Sequence, residues 1–185
     1  MKRAYGTNQV RIISGQWRGR RISFADVPGL RPTGDRVRET LFNWLQAGIT
    51  GAACLDLFAG SGALGLEAAS RGAGHVVLVE QDARVCRQLR GSLEALQTAR
   101  VTLVEQDALA YLAAAPRPFD IVFVDPPFGE EHVPAVARAL QSGWLAQDAR
   151  IYVEQPADAR TASLPWRLLK HKTQGNVLIS LYAND

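Results

Sequence analysis

Ala53-Cys54-Leu55-Asp56-Leu57-Phe58-Ala59-Gly60-Ser61-Gly62-Ala63-Leu64-Gly65 is the stretch on which the fold turns. Residues 53–58 read as a short strand; Gly60, Gly62 and Gly65 follow and open a helix over 63–71 that Gly72 closes. Glycines there let backbone approach a ligand closely, and the helix start offers unpaired N–H groups. Downstream, strands are predicted over 75–80, 101–105, 119–125 and 149–154. Helices separate them: one from Asp82 with Val85, Leu89, Leu93 and Leu96 on one face, a short one over 109–114, and one over 133–140. Apolar strands alternating with amphipathic helices specify a parallel sheet covered on both faces. Two last strands, 166–170 and 177–182, flank the turn-like Thr173-Gln174-Gly175-Asn176 and read as an antiparallel hairpin at one edge. Upstream, strand-like 10–13 and 21–24 are joined through Gly15 and Gly19. After the breaker Val27-Pro28-Gly29, a helix starts near Asp35, carries Val37, Leu41, Trp44 and Leu45 on one stripe, and ends at Gly48. The class is α/β: a doubly wound, Rossmann-like sheet of about seven strands with an antiparallel C-terminal hairpin, plus a small N-terminal hairpin-helix extension.

Composition narrows the function. With 47% hydrophobic and 21% charged side chains in 185 residues, the chain is an ordinary globular one, not a collagen-like or disordered one. No apolar run reaches the roughly 18 residues of a membrane span, so no membrane partner is expected. The start has no apolar core of a secretory signal, and two cysteines, Cys54 and Cys86, make no disulfide framework; a reduced cytoplasm is the expected compartment. His75, His132 and His171 are scattered without metal-ligand spacing, so no metal is expected. The charge is uneven. Residues 1–47 hold nine basic side chains against three acidic ones, while the rest of the chain is weakly acidic. Eight of those nine are arginines, which grip phosphate in a bidentate fork and stack on bases. A solvated basic face is the plainer explanation of charge alone.

Gly60, Gly62 and Gly65 spell GxGxxG, and Glu80 ends the next strand twenty residues beyond Gly60. A strand before, a helix after and an acid at that spacing point to an adenosine-type cofactor, the acid taking both hydroxyls of a ribose. NAD fits the same pattern. Three features favour S-adenosylmethionine (AdoMet) instead. Asp56, four residues before the first glycine, can hold a cofactor ammonium. A long segment precedes the strand, whereas dinucleotide folds often open with it. Glu105-Gln106-Asp107 puts another carboxylate at the same edge, suited to an adenine amine.

The fourth strand ends in Asp125-Pro126-Pro127-Phe128. Consecutive prolines fix φ and remove two donors, leaving a stiff turn of outward carbonyls. Asp125 and those carbonyls form an acceptor cluster for an N–H₂ group, and Phe128 offers a stacking face. The lone pair of a base amine is delocalised into its ring; acceptors on both hydrogens favour a more tetrahedral, nucleophilic nitrogen aimed at a methyl donor.

Asp125-Pro126-Pro127-Phe128 resembles the (D/N)PP(Y/F) motif of amino-directed nucleic-acid methyltransferases. Residues 11–20 (Arg-Ile-Ile-Ser-Gly-Gln-Trp-Arg-Gly-Arg) and 31–45 (Arg-Pro-Thr-Gly-Asp-Arg-Val-Arg-Glu-Thr-Leu-Phe-Asn-Trp-Leu) closely resemble the RsmD family of bacterial methyltransferases that modify guanine N2 in small-subunit 16S rRNA. The likeness runs over about 11–182 and is weakest in 156–167. It implies a class I methyltransferase sheet over residues 48–185 behind a basic RNA-binding extension over 1–47, acting as a monomer on 16S rRNA, free or within the small ribosomal subunit or an assembly intermediate. By that resemblance Asp56, Gly60 and Gly62 line the methionine end of AdoMet, Phe58 and Ala59 are further cofactor-binding residues, Glu80 holds the ribose, and Asp107 with Ala108 holds the adenine. Asp125, Pro126, Pro127 and Phe128 orient the guanine. Arg11, Arg18, Arg20, Arg21, Arg31, Arg36 and Arg38 are the expected RNA contacts. Ser14 stands where glycine is expected, which matters only at positive φ. Trp17 is open between stacking on RNA and packing in the hairpin. A DNA adenine-N6 methyltransferase would share the tetrad but needs a longer target-recognition insertion; a non-catalytic RNA-binding module would share the basic extension.

Overall fold

The computed structural model describes residues 8–24, 27, 33–127, 132–158 and 163–184. Nine strands and five helices lie among them. A two-stranded antiparallel hairpin, β1 (Asn8–Arg11) and β2 (Arg21–Phe24), precedes α1 (Asp35–Leu45). Then follow β3 (Ala53–Asp56), α2 (Ala63–Ser70), β4 (His75–Glu80), α3 (Ala83–Leu96), β5 (Val101–Glu105), α4 (Ala108–Leu112) and β6 (Phe119–Val124). Last come α5 (His132–Leu140), β7 (Leu145–Pro156), β8 (Arg167–Gln174) and β9 (Val177–Ala183). The sheet order is β5-β4-β3-β6-β7-β9-β8, parallel from β5 to β7, with β9 antiparallel to both β7 and β8. Winding reverses between β3 and β6, so their C-terminal ends flank a crevice.

The double winding follows from the period-2 alternation of strands that are apolar on both faces. Cys54, Val76 and Leu78 face one core with α1, α2, α3 and the N-terminal hairpin; Leu55, Leu57, Val77 and Val79 face the other with α4 and α5. Helix α2 is buried at all eight positions, because the sheet covers one side and the hairpin the other. Its only charged side chain, Glu67, is fully buried, and it is the anchor of the extension.

Glu67 explains where β1 stops. Ile12 still pairs with the partner strand, its N–H donating to Arg20 O at 2.9 Å and its carbonyl accepting from Gly19 N at 2.9 Å. The next two amides leave the ladder: Ile13 N and Ser14 N donate to the Glu67 carboxylate at 2.8 and 3.0 Å. Gly15 then presses on the end of α2 at φ +84°, where a Cβ would lie 1.9 Å from Ser70 O. Ser14 is not among the residues with positive φ, so the absence of glycine there carries no strain. Ser70 Oγ donates to Ser14 O (2.6 Å) and accepts from Trp17 N (2.9 Å). Trp17 is 4% exposed, which decides for hairpin packing over base stacking; the Arg100 guanidinium lies 5.8 Å from its ring centroid.

Several element expectations need adjustment: β1 covers Asn8–Arg11 rather than 10–13, and α1 ends at Leu45, ahead of Gly48. The α1 stripe is Val37, Arg38, Leu41, Phe42 and Leu45, with Trp44 only partly buried, because the helix meets two elements at once: Phe42 faces Phe123 of β6 at 6.0 Å and Arg38 pairs with Glu67 of α2. The short fourth helix starts at Ala108, one residue early, because Asp107 caps it by accepting Ala110 N at 2.9 Å. Strand β8 runs longer than predicted because it pairs along β9 through polar residues that an apolar pattern does not show, and β7 starts earlier than predicted, where Leu145 pairs with Phe119 of β6. No helix among the described residues is long and apolar enough to cross a membrane.

Candidate active site at the strand ends

The C-terminal ends of β3, β4, β6 and β7 and the loop after β5 converge on one cavity of about 650 Å³. Its walls include Asp56, the Phe58–Ser61 turn, Glu80, Asp107, Ala108, Asp125, Pro126, Pro127 and Glu154, with Thr33 from the extension and Asn176 from the β8–β9 turn. The structure thus brings every described residue expected at the cofactor end, except Gly62, onto this cavity, together with three of the four tetrad residues. Gly62 stands just behind the wall as the N-cap of α2 at φ +78°, where a Cβ would come within 2.8 Å of Leu66 and Leu89 side-chain carbons. Phe128, like Arg31, lies outside the described residues.

The glycine turn is held from its acids. Gly60 N donates to Glu80 Oε2 at 2.9 Å, and Asp82 N to Glu80 Oε1 at 2.8 Å. Each Glu80 oxygen keeps a second lone pair, enough for a vicinal diol. Asp56 Oδ2 accepts Gly65 N at 3.0 Å, and Gly65 has room for no side chain: a Cβ would lie 2.2 Å from Leu78 Cδ2. Asp56 Oδ1 is buried and has no hydrogen-bond partner. Burial first, and the Glu80 charge after it, push the Asp56 pKa up to about 7; the Gly65 and Phe58 amides pull the other way without restoring it. A buried carboxylate oxygen with nothing to accept from is costly unless a donor, above all a cation, arrives.

Asp125 sits in comparable surroundings across the crevice. Thr33 Oγ1 donates to its Oδ2 at 3.0 Å, so the extension reaches the tetrad directly. Burial and the neighbouring Glu154 charge raise its pKa well above the carboxylate range, against the Thr33 bond. Glu154, on the adjacent strand, is raised by burial and partly relieved by the Tyr152 hydroxyl, which donates to its Oε2 at 2.7 Å. Thr33, Tyr152 and Glu154 were missed in the sequence. Glu154 carried the same signal as Asp125 and Glu80, an acid ending an apolar strand; Thr33 and Tyr152 carried none. His132 lies on the cavity wall with its ring 5.7 Å from that of Phe58. No group of side chains among the described residues could hold a metal ion.

One expected RNA contact is contradicted. The Arg38 side chain is wholly buried, pairing with Asp35 (2.6 Å) and Glu67 (3.3 Å) and donating to Arg11 O and Thr33 O. It closes the joint between extension and α2 and is inaccessible to a phosphate. Arg11, Arg18, Arg20, Arg21 and Arg36 are exposed, Arg20 while donating to Ala95 O at 3.1 Å.

Residues 10–183 match the family described as conserved hypothetical protein 95. The chain is similar to ribosomal RNA small subunit methyltransferase D of Escherichia coli strain K12, 48% identical over 97% of this chain and 92% of that one. Against the Haemophilus influenzae protein of the same name, identity is 44% over 95% of this chain and 94% of that one. The solved structure of yhhF from Escherichia coli superposes with a TM-score of 0.90 at 47% identity, covering 96% of this chain and 99% of that one. SMU.776 complexed with SAH, at 18% identity and a TM-score of 0.67 over 84% of this chain and 50% of that one, shares the fold.

Proposed function

The chain belongs to the conserved hypothetical protein 95 family, the family of the ribosomal RNA small subunit methyltransferase D proteins; on that premise we propose a methyl transfer from AdoMet to the exocyclic N2 of a guanine in 16S rRNA. Membership makes the chain a ribosomal RNA methyltransferase; the base and atom are our reading. The observation that carries it is that Asp56, with its unpartnered oxygen, and Asp125-Pro126-Pro127 open onto one cavity.

The residues present fit AdoMet. Asp56 Oδ1 is the natural acceptor for its ammonium group, Glu80 for the ribose hydroxyls, and Asp107 with Ala108 for the adenine. Asp107 can serve because only its Oδ1 is engaged in capping α4. When bound, AdoMet supplies a methyl group on a positively charged sulfur, ready for displacement. Asp125 and the proline carbonyls hold the hydrogens of the guanine amine, so that its nitrogen lone pair can be directed at that methyl. The proton lost from the methylated nitrogen passes to Asp125 or to water. Phe128 stacks on the base. Residues 1–47 grip RNA through Arg11, Arg18, Arg20, Arg21, Arg31 and Arg36, and 48–185 form the methyltransferase domain; the protein works as a cytoplasmic monomer.

Purified protein, methyl-labelled AdoMet and small ribosomal subunits from cells lacking this gene test the reading, with naked 16S rRNA in parallel. Digestion to nucleosides and mass analysis should return N2-methylguanosine, and fragment masses give its position. Label on another base or atom, or none in either RNA, overturns it.

A further inference from the structure

Glu154 is an acid that the methyl transfer just described does not use. In the parallel pairing of β6 with β7, Phe123 faces Tyr152 and Val124 faces Val153. One residue further on, Asp125 and Glu154 stand side by side at the strand ends, on the face where the Phe123 and Tyr152 rings meet at 6.4 Å. Both line the cavity. Glu154 is only 6% exposed, and the Tyr152 hydroxyl fixes its Oε2, so its rotamer is set before any base arrives. Tyr152 is itself fully buried, which makes that setting rigid.

A guanine displays two adjacent donors on its Watson–Crick edge, N1–H and the N2 amine. Adenine has an acceptor at N1 and no amine at C2. Two carboxyl groups on neighbouring strands are separated by about the 4.8 Å strand spacing, a separation that long side chains can narrow to meet adjacent donors on one base. We propose that Glu154 is a specificity-determining residue that accepts the N1–H of the target guanine while Asp125 accepts from its N2 amine. The inference rests on the guanine-N2 reading above and adds to it which side chain tells guanine from other bases. It also gives a use for two acids that would otherwise only repel one another: each is offered a donor by the same base. Asp125 carries the amine because it adjoins the proline carbonyls, and Glu154 carries the identity of the base.

2-Aminopurine separates the two roles, because it keeps the C2 amine but has an acceptor at N1. Substrate RNA is prepared with guanine or 2-aminopurine at the methylated position, and kcat/KM is measured for wild type and Glu154→Gln. The glutamine keeps an oxygen for the Tyr152 hydroxyl and presents an N–H where the glutamate presented an acceptor. Wild type should prefer guanine by at least ~10-fold, the worth of one charge-assisted hydrogen bond. Glu154→Gln should lower that preference by ~100-fold or reverse it, with AdoMet affinity near that of wild type and a melting temperature no lower. The wild-type ratio needs no variant, so the inference is exposed even if Glu154→Gln folds poorly. Equal methylation of both bases by wild type, or an equal loss on both in the variant, overturns the role of Glu154 and leaves the guanine-N2 reading standing. Failure of wild type to methylate guanine itself overturns that reading and this inference together.

Discussion

Two clusters of buried charge in this molecule are built on opposite terms. At the joint between the N-terminal hairpin and α2, Glu67 is met by four donors: the Ile13 and Ser14 amides, Arg38 and Arg71, the last at 2.7 Å. At the strand ends, Asp56, Asp125 and Glu154 share a cavity with no lysine or arginine among its described lining residues. One of their oxygens has no partner, and all three acids are pushed toward their protonated forms. A buried charge with its donors supplied by the chain holds the fold together. A buried charge left short of donors is a standing demand for a ligand that carries them.

Removing Glu67 should break the comparison most visibly. Glu67→Ala takes from the buried Arg38 guanidinium one of its two carboxylate partners and leaves two backbone amides without their acceptor; the expected loss is about 3–5 kcal/mol of stability, measured by denaturant unfolding. A loss below about 1 kcal/mol would mean the joint is not a structural anchor. Asp125→Ala addresses the other cluster. It should lower turnover by at least ~100-fold, about 2.7 kcal/mol of barrier, while AdoMet affinity measured by titration calorimetry stays within a few-fold of wild type. Parallel losses of turnover and affinity would refute the assignment of Asp125 to the target base.

Asp56→Asn sharpens the contrast because two readouts should move in opposite directions. AdoMet affinity should fall by ~10- to 100-fold with the loss of a charge-assisted contact. Stability should rise. The folded pKa of Asp56, about 7, lies above its ordinary value of 3.8, so folding binds a proton between those values. The cost of burying the carboxylate is then absent below pH 4, grows as pH rises, and is complete above pH 7. The variant should therefore exceed wild type by on the order of 1–3 kcal/mol at pH 8, with the gap closing toward pH 4. A gap independent of pH would show that ionisation of Asp56 is not its source.

Much of this was legible in the chain itself. Local signals sufficed for all seven strands of the main sheet, for the glycine turn with Glu80, and for Asp125 ahead of two prolines. Each depends on neighbours in sequence: apolar runs of strand length, glycines where backbone must come close, an acid where a strand ends. The joint was not legible in that way. Arg38 sat among basic residues and read as one more RNA contact, yet it is wholly buried, because the acid it meets lies 29 residues away on another helix. Trp17, undecided from its surroundings, was settled by Ser70, 53 residues on.

The sequence alone therefore determined the α/β class, the doubly wound order of strands and helices, and two halves of a site, since both rest on periodicity and on the chemistry of residues close in the chain. Tertiary structure decided which charges pair. It buried Arg38 against Glu67, set Thr33 on Asp125 across 92 residues, and brought Glu154 beside Asp125 by strand register. The physical reason is that the ionisation and accessibility of a charged side chain depend on desolvation and on the nearest opposite or like charge, and folding alone chooses those neighbours.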